Sequence, residues 1–156
     1  MENASDLYVR LYDLDNYMNE LNVENVQIRR AMVFERHFVT EWVKEHFSNY
    51  WVSECEAAFS HQPVDCFIAI KDKKEIVGFA CVDTTFKGFF GPLGVKDSMR
   101  RMGLGRALTL VGLQDLKNKG YQYAIIGGTR ISNFYKDACG AVEIKDSSPG
   151  AYKGIL

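Results

Sequence analysis

The spacing of apolar and polar positions changes period several times along the chain, and each change predicts an element. Val26–Met32 alternates apolar and polar residues, the period-two signature of a strand. From Phe34 to Phe47 the spacing turns helical, with Phe34, Phe38 and Trp42 at i, i+4 and i+8 and Val39 and Val43 beside them. A polar break follows, where Ser48 or Asn49 offers an N-cap. The next helix then spans about Trp51–Phe59, with Val52, Cys55 and Phe59 on one face and Pro63 beyond its end. Cys66–Ile70 and Glu75–Asp83 flank the polar turn KDKK and predict a hairpin. A third strand covers about Phe86–Val95, where Pro92 lacks a ladder donor and its flanking glycines predict a bulge or a splayed strand. Leu104, Ala107, Leu108 and Val111 open a helix that runs to Lys119, with Gly120 in the C-terminal glycine position. Tyr121–Gly127 reads as a strand, SNFYKDACG as a short helix closed by Gly140, and AVEIK and AYKGIL as final strands. Residues 1–25 carry the weakest pattern: LYVRLYDL suggests a short strand, followed by a short helix.

This order begins with antiparallel neighbours and ends with a strand–helix–strand unit. It predicts a mixed α/β domain rather than the strict alternation of a doubly wound fold. The 156 residues suit one domain with a real core, since a chain of that length buries about 70% of its unfolded surface. Nineteen basic and twenty acidic residues leave a net charge of −1, which argues against a general nucleic-acid or membrane binder. Cys55, Cys66, Cys81 and Cys139 form no C-x-x-C pair and there is no His cluster, so no metal site is expected. The first residues lack a basic start and an apolar run, and no stretch has the length of a spanning helix. A cytoplasmic protein with reduced thiols is the expectation.

One stretch carries chemistry. RRMGLG, Arg100–Gly105, is followed by Arg106 and joins the strand ending in LGV to the long helix. The first amides of a helix have no intrahelical acceptor, and the dipole makes that end attractive to anions. Glycines allow close approach to the backbone, and Arg100, Arg101 and Arg106 add forked cationic donors. A Walker loop needs a Gly-Lys-Ser/Thr ending that is absent, and a dinucleotide turn needs a third glycine where Leu108 stands. From these residues alone, an ordinary turn with solvated arginines and an anion loop are both open.

The wider context resembles a known family. Arg100-x-x-Gly103-x-Gly105 is similar to the acetyl-coenzyme A signature R/Q-x-x-G-x-G/A of the GNAT superfamily of N-acetyltransferases. NFYKDACGAVEI resembles that family's FYEKxGFxxI element, in the right order and spacing, so the resemblance covers about Cys66–Ile144. It implies a mostly antiparallel central sheet, splayed at the cofactor site and flanked by helices. It implies that the segment Arg100, Arg101, Met102, Gly103, Leu104, Gly105 and Arg106 binds the pyrophosphate of acetyl-CoA. Main-chain groups of Leu93, Gly94 and Val95 would pair with the pantetheine arm, and Tyr135 would protonate the departing thiolate. The family often has an Asn where Gly128 stands, so that pantetheine contact is expected from Asn133.

The resemblance also implies an amine acceptor, a small molecule or a peptide, and direct transfer in a ternary complex without metal. Candidate bases are Glu54, Glu56 and Asp83, with Glu54 favoured because the second helix borders the acceptor site in this family. Trp51, Phe89, Phe90 and Tyr152 are candidates for the acceptor pocket, the phenylalanines being better read as core. His37, His46 and His61 read as surface or cap residues. No nucleic-acid or membrane partner is expected, and a homodimer through the C-terminal strands is the family habit. The alternatives are a non-catalytic acyl-CoA sensor and a scaffold whose glycine loop is structural.

Overall fold

The computed structural model describes residues 4–156, so the first three residues of the expected N-terminal extension lie outside it. Among the described residues seven strands form one sheet: β1 (Ser5–Arg10), β2 (Val26–Arg30), β3 (Cys66–Lys71), β4 (Glu75–Val82), β5 (Phe89–Val95), β6 (Tyr123–Thr129) and β7 (Val142–Glu143). Their order is β2-β3-β4-β5-β6-β1-β7. Every neighbouring pair is antiparallel except β5 and β6. Four helices cover it: α1 (Arg36–His46), α2 (Asn49–Phe59), α3 (Leu104–Asn118) and α4 (Ser132–Cys139). This is the mixed, mostly antiparallel architecture that the pattern predicts. Among the described residues no helix is long and apolar enough to cross a membrane.

Strand alternation divides the core in two. Phe67, Ala69, Val77, Ala80, Val82, Phe90 and Ile126 face α3 and α4, whose Leu104, Leu108, Leu113, Tyr135 and Cys139 complete that layer. Ile68, Phe79, Cys66 and Cys81 face α1 and α2, meeting Val39, Val43, Cys55, Ala58 and Phe59. Gly112 shows how closely α3 lies on the sheet: a Cβ there would stand 2.6 Å from the Phe90 ring and 3.2 Å from Val82.

The local signals explain most boundaries. The Ser48 hydroxyl accepts a hydrogen bond from the Trp51 amide and caps α2. Gly120 and Gly140 close α3 and α4 with φ of 103° and 69°, a region that favours glycine. The third strand is shorter than expected, because Phe86 sits in the turn before it; β4 and β5 lose register between Ala80 and Val82, as the proline and glycines suggest.

Three expectations are corrected. The helix predicted from Phe34 begins at Arg36, and Phe34 and Phe38 are 86% and 68% exposed; the buried face is Val39, Thr40 and Val43. A 3-10 turn at Val33–Glu35 precedes it, pinned by Glu35, whose carboxylate accepts from Arg29 and from the Met32 amide. AYKGIL is not a strand. It holds a 3-10 turn at Gly150–Tyr152, and Gly150 and Gly154 have positive φ, which breaks an extended run. Of AVEIK only Val142 and Glu143 pair, with Tyr8 and Leu7.

The N-terminal residues hold the topology's main departure from chain order. β1 lies between β6 and β7, pairing Leu7 with Ile126 and Val9 with Ala124. A 3-10 stretch over Leu11–Tyr17 then buries Leu11 and Leu14 against α3.

Candidate active site

Among the described residues the pair β5–β6 is the sheet's only parallel junction, and its ladder contains two matched positions, Phe89↔Ile125 and Phe90↔Ile126. Beyond Phe90 the strands are no longer paired: Gly91–Val95 continues against β4, and Gly127–Thr129 continues alongside β1. Pro92, which has no amide proton, lies in that unpaired stretch. The result is an opening in the sheet with main-chain groups of Leu93, Gly94 and Val95 on one side. Gly94 is small for a packing reason: a Cβ there would stand 2.5 Å from the Phe47 ring and 2.8 Å from that of Phe79.

The N-terminus of α3 lies next to the end of β5. Ala107 makes the first bond of the helix, to the Gly103 carbonyl at 3.0 Å, so the amides of Gly103, Leu104, Gly105 and Arg106 precede the intrahelical ladder. Arg101 (φ 64°) and Gly103 (φ 85°) are both left-handed and turn the chain into the helix. Arg101, Met102 and Gly103 are exposed, and Leu104 is buried beneath them. Gly105 permits a close approach by α4, since its Cβ position is 3.4 Å from the Phe134 ring.

The three arginines differ. Arg100 pairs with Asp97 at 3.1 Å and reaches the Val95 carbonyl at 3.4 Å. Arg106 donates to the carbonyls of Tyr17 (2.7 Å) and Asp137 (3.1 Å), tying α3 to the N-terminal 3-10 stretch and to α4, while its Nε is buried without a partner. Its guanidinium is therefore committed to the scaffold. Arg101 is exposed on the loop.

Tyr135 stands on the α4 side of the opening. Its ring meets Phe90 edge-on at 6.3 Å and Phe134 at 5.0 Å. Phe90, whose ring the phenol meets, belongs to the last β5–β6 pair. Burial drives its pKa well above the ordinary tyrosine value, and it stays protonated through the neutral range. Asn133, two residues earlier, is exposed in the first turn of α4.

The opposite face of the opening carries different residues. The Gly127 position is taken up by the Tyr152 hydroxyl and by Phe89, whose ring is 2.9 Å from where a Cβ would be. Glu54, on α2, accepts a hydrogen bond from the Thr85 hydroxyl at 2.5 Å. Burial raises the Glu54 pKa, against the lowering effect of that bond. Tyr152 is pushed up to about 12 by burial and by the carboxylates of Asp6 and Glu54. Glu54, Thr85, Phe89 and Tyr152 thus share the α1/α2 side, and Tyr135 the α3/α4 side.

The other acidic candidates have scaffold partners. Asp83 accepts from the Gly88 amide at 2.6 Å and from Lys119 at 3.1 Å, which hold it below the usual carboxylate range despite burial. Glu56 is exposed and lies 3.9 Å from Arg36. Phe90 is core, whereas Trp51 packs on Phe47 and Phe79. His61 is paired to Asp65 at 2.7 Å, and His46 stacks on Trp42.

Two residues escaped the sequence reading. Asp6 of β1 accepts from the Gly128 amide at 2.8 Å and fixes the end of β6, and Tyr17 supplies the carbonyl that holds Arg106. No periodicity marks either one, because each acts through a partner more than eighty residues away.

Known proteins share this fold. The model of the acetyltransferase (GNAT) family matches residues 36–141. A glucosamine N-acetyltransferase region of a fungal multi-domain GH3 β-N-acetylglucosaminidase superposes with a TM-score of 0.71 at 13% identity, covering 90% of this chain and 20% of that one. A GCN5-related N-acetyltransferase from Sphaerobacter thermophilus superposes with a TM-score of 0.65 at 20% identity, covering 92% of this chain and 50% of that one. The chain thus spans a fifth to a half of the length of these two structures. No curated protein matches it in sequence. With the family model matched over most of its length, on the strands and helices that frame the opening, the chain belongs to the GNAT acetyltransferase family.

Proposed function

We propose that residues 1–156 act as one acetyltransferase domain that moves an acetyl group from acetyl-CoA to an amine. The observation that carries this reading is the opening between β5 and β6, with an uncommitted helix N-terminus beside it and protonation chemistry on both faces. The amides of Arg101 to Arg106 would hold the pyrophosphate, with Arg101 adding charge and Arg106 contributing its amide while its guanidinium braces the loop. Leu93, Gly94 and Val95 would pair with the pantetheine arm as an added strand, and Asn133 lies on the α4 side of the same path.

The two faces divide the proton transfers. The acceptor approaches from the α1/α2 side, where the Glu54 carboxylate takes a proton from the ammonium. The neutral nitrogen attacks the thioester carbonyl, the C–N bond forms, and the C–S bond breaks. Tyr135 gives its phenolic proton to the leaving thiolate from the other face, and the second proton that the nitrogen sheds as the amide forms returns through solvent to the phenolate. Its buried, un-ionised state supports that role. Phe89 and Tyr152 would flank the acceptor.

Tyr135→Phe tests this directly. Turnover falls on the order of 10-fold or more, while acetyl-CoA binding by calorimetry is retained. Unchanged turnover removes Tyr135 from the reaction; binding of acetyl-CoA without acetylation of any amine in a broad panel favours a sensor instead.

A further inference from the structure

Three of the four cysteines, scattered along the sequence, meet in the core on the α1/α2 side. Cys66 and Cys81 are direct cross-strand partners on β3 and β4. Cys55 reaches them from α2, and the three Sγ atoms lie within 4.8 Å of one another. All three residues have no solvent-exposed surface, and their neighbours include Ala31, Val39, Val43, Ala58, Phe59, Ile68 and Phe79. Cys139 is apart from them, in the core on the other face of the sheet.

Three sulfurs bound at about 2.3 Å to one pyramidal centre stand about 3.5 Å apart, so sulfurs that already lie within 4.8 Å of one another close on a shared centre by contracting about 1 Å at most. The surroundings select its charge. A divalent ion with three thiolates keeps one negative charge and a monovalent ion two, and an apolar shell penalises both. A trivalent thiophilic centre with three thiolates is neutral.

We propose that Cys55, Cys66 and Cys81 form a binding site for a trivalent thiophilic metalloid, of which arsenite is the probe. Three S–H and three As–O bonds break, three As–S bonds form, and three waters leave. No electron is transferred and no net charge enters the core. The bound centre staples α2 to β3 and β4 directly beside Glu54. Because the sulfurs are fully covered, entry waits on local opening of α2 and is slow.

The test uses reduced wild-type protein in two arms, one incubated overnight with sodium arsenite and one refolded from denaturant in its presence. After desalting, native mass spectrometry is expected to show one arsenic per chain, with the mass of three lost hydrogens, and the thermal midpoint rises. Cys139→Ser retains the arsenic; Cys55→Ala and Cys81→Ser lose stoichiometric retention, with circular dichroism showing that each is folded. Arsenic absent from the wild-type chain in both arms overturns the site whatever the variants do. So does retention undiminished in Cys81→Ser, or retention lost in a folded Cys139→Ser.

Discussion

Glu54 and Tyr135 are shifted in the same direction by burial, with opposite consequences for chemistry. A buried phenol stays a proton donor across the neutral range. A buried carboxyl keeps its proton to a higher pH than usual, so as a base it works only above its raised pKa. The profile of kcat/KM against pH therefore rises through an acidic limb above the ordinary glutamate value of about 4.3, and Glu54→Gln removes that limb and lowers the plateau on the order of 100-fold. A limb that persists in the variant assigns the base elsewhere. At this scale half of the candidate site is legible in the sequence. Tyr135 and the glycine loop sit in contiguous motifs, whereas Asp6 acts on Gly128 across the whole chain, and nothing local marks it.

Elements decide what a loop residue does. Arg101 and Arg106 look alike in the sequence, yet one is exposed and the other is locked to two carbonyls. Arg101→Glu should weaken CoA binding in calorimetry and leave the melting temperature nearly unchanged. Arg106→Met should lower the melting temperature, because it leaves two carbonyls on different elements without their donor; the opposite pattern of effects would exchange the roles of the two arginines. Gly112→Ala brings a methyl into the Phe90 ring and should cost about 1–3 kcal/mol by overpacking, read as a fall in the chemical-denaturation midpoint. Helix and strand periods exposed most elements, but not which face of α1 is buried. Phe34 and Phe38 fit the helical spacing and point to water, since the sheet receives Val39 and Val43 instead. The cysteine cluster was hidden for a related reason: its members belong to one helix and two strands, and no spacing rule joins them.

For the whole molecule, the position of β1 matters most. It is second from the edge of the sheet, paired on both sides, and contributes Leu7 and Val9 to the core. Deleting residues 1–10 removes both ladders and the Asp6 anchor, and the truncated chain is expected to lose cooperative thermal unfolding by circular dichroism. A truncated chain that melts cooperatively at the original temperature would show that β1 is dispensable. The predicted pattern placed a short strand near there but supplied no partner, because periodicity specifies which face is buried and not which strand lies alongside.

That position also sets a schedule. β1 leaves the ribosome long before β6, and at about 5–20 residues per second roughly 6–24 s separate the two. Through that interval an apolar strand waits without its ladder, while β3, β4 and β5 can already pair among themselves. The nascent chain is therefore most open to wrong strand pairing at β1, and the sheet is completed only after β6 and β7 emerge.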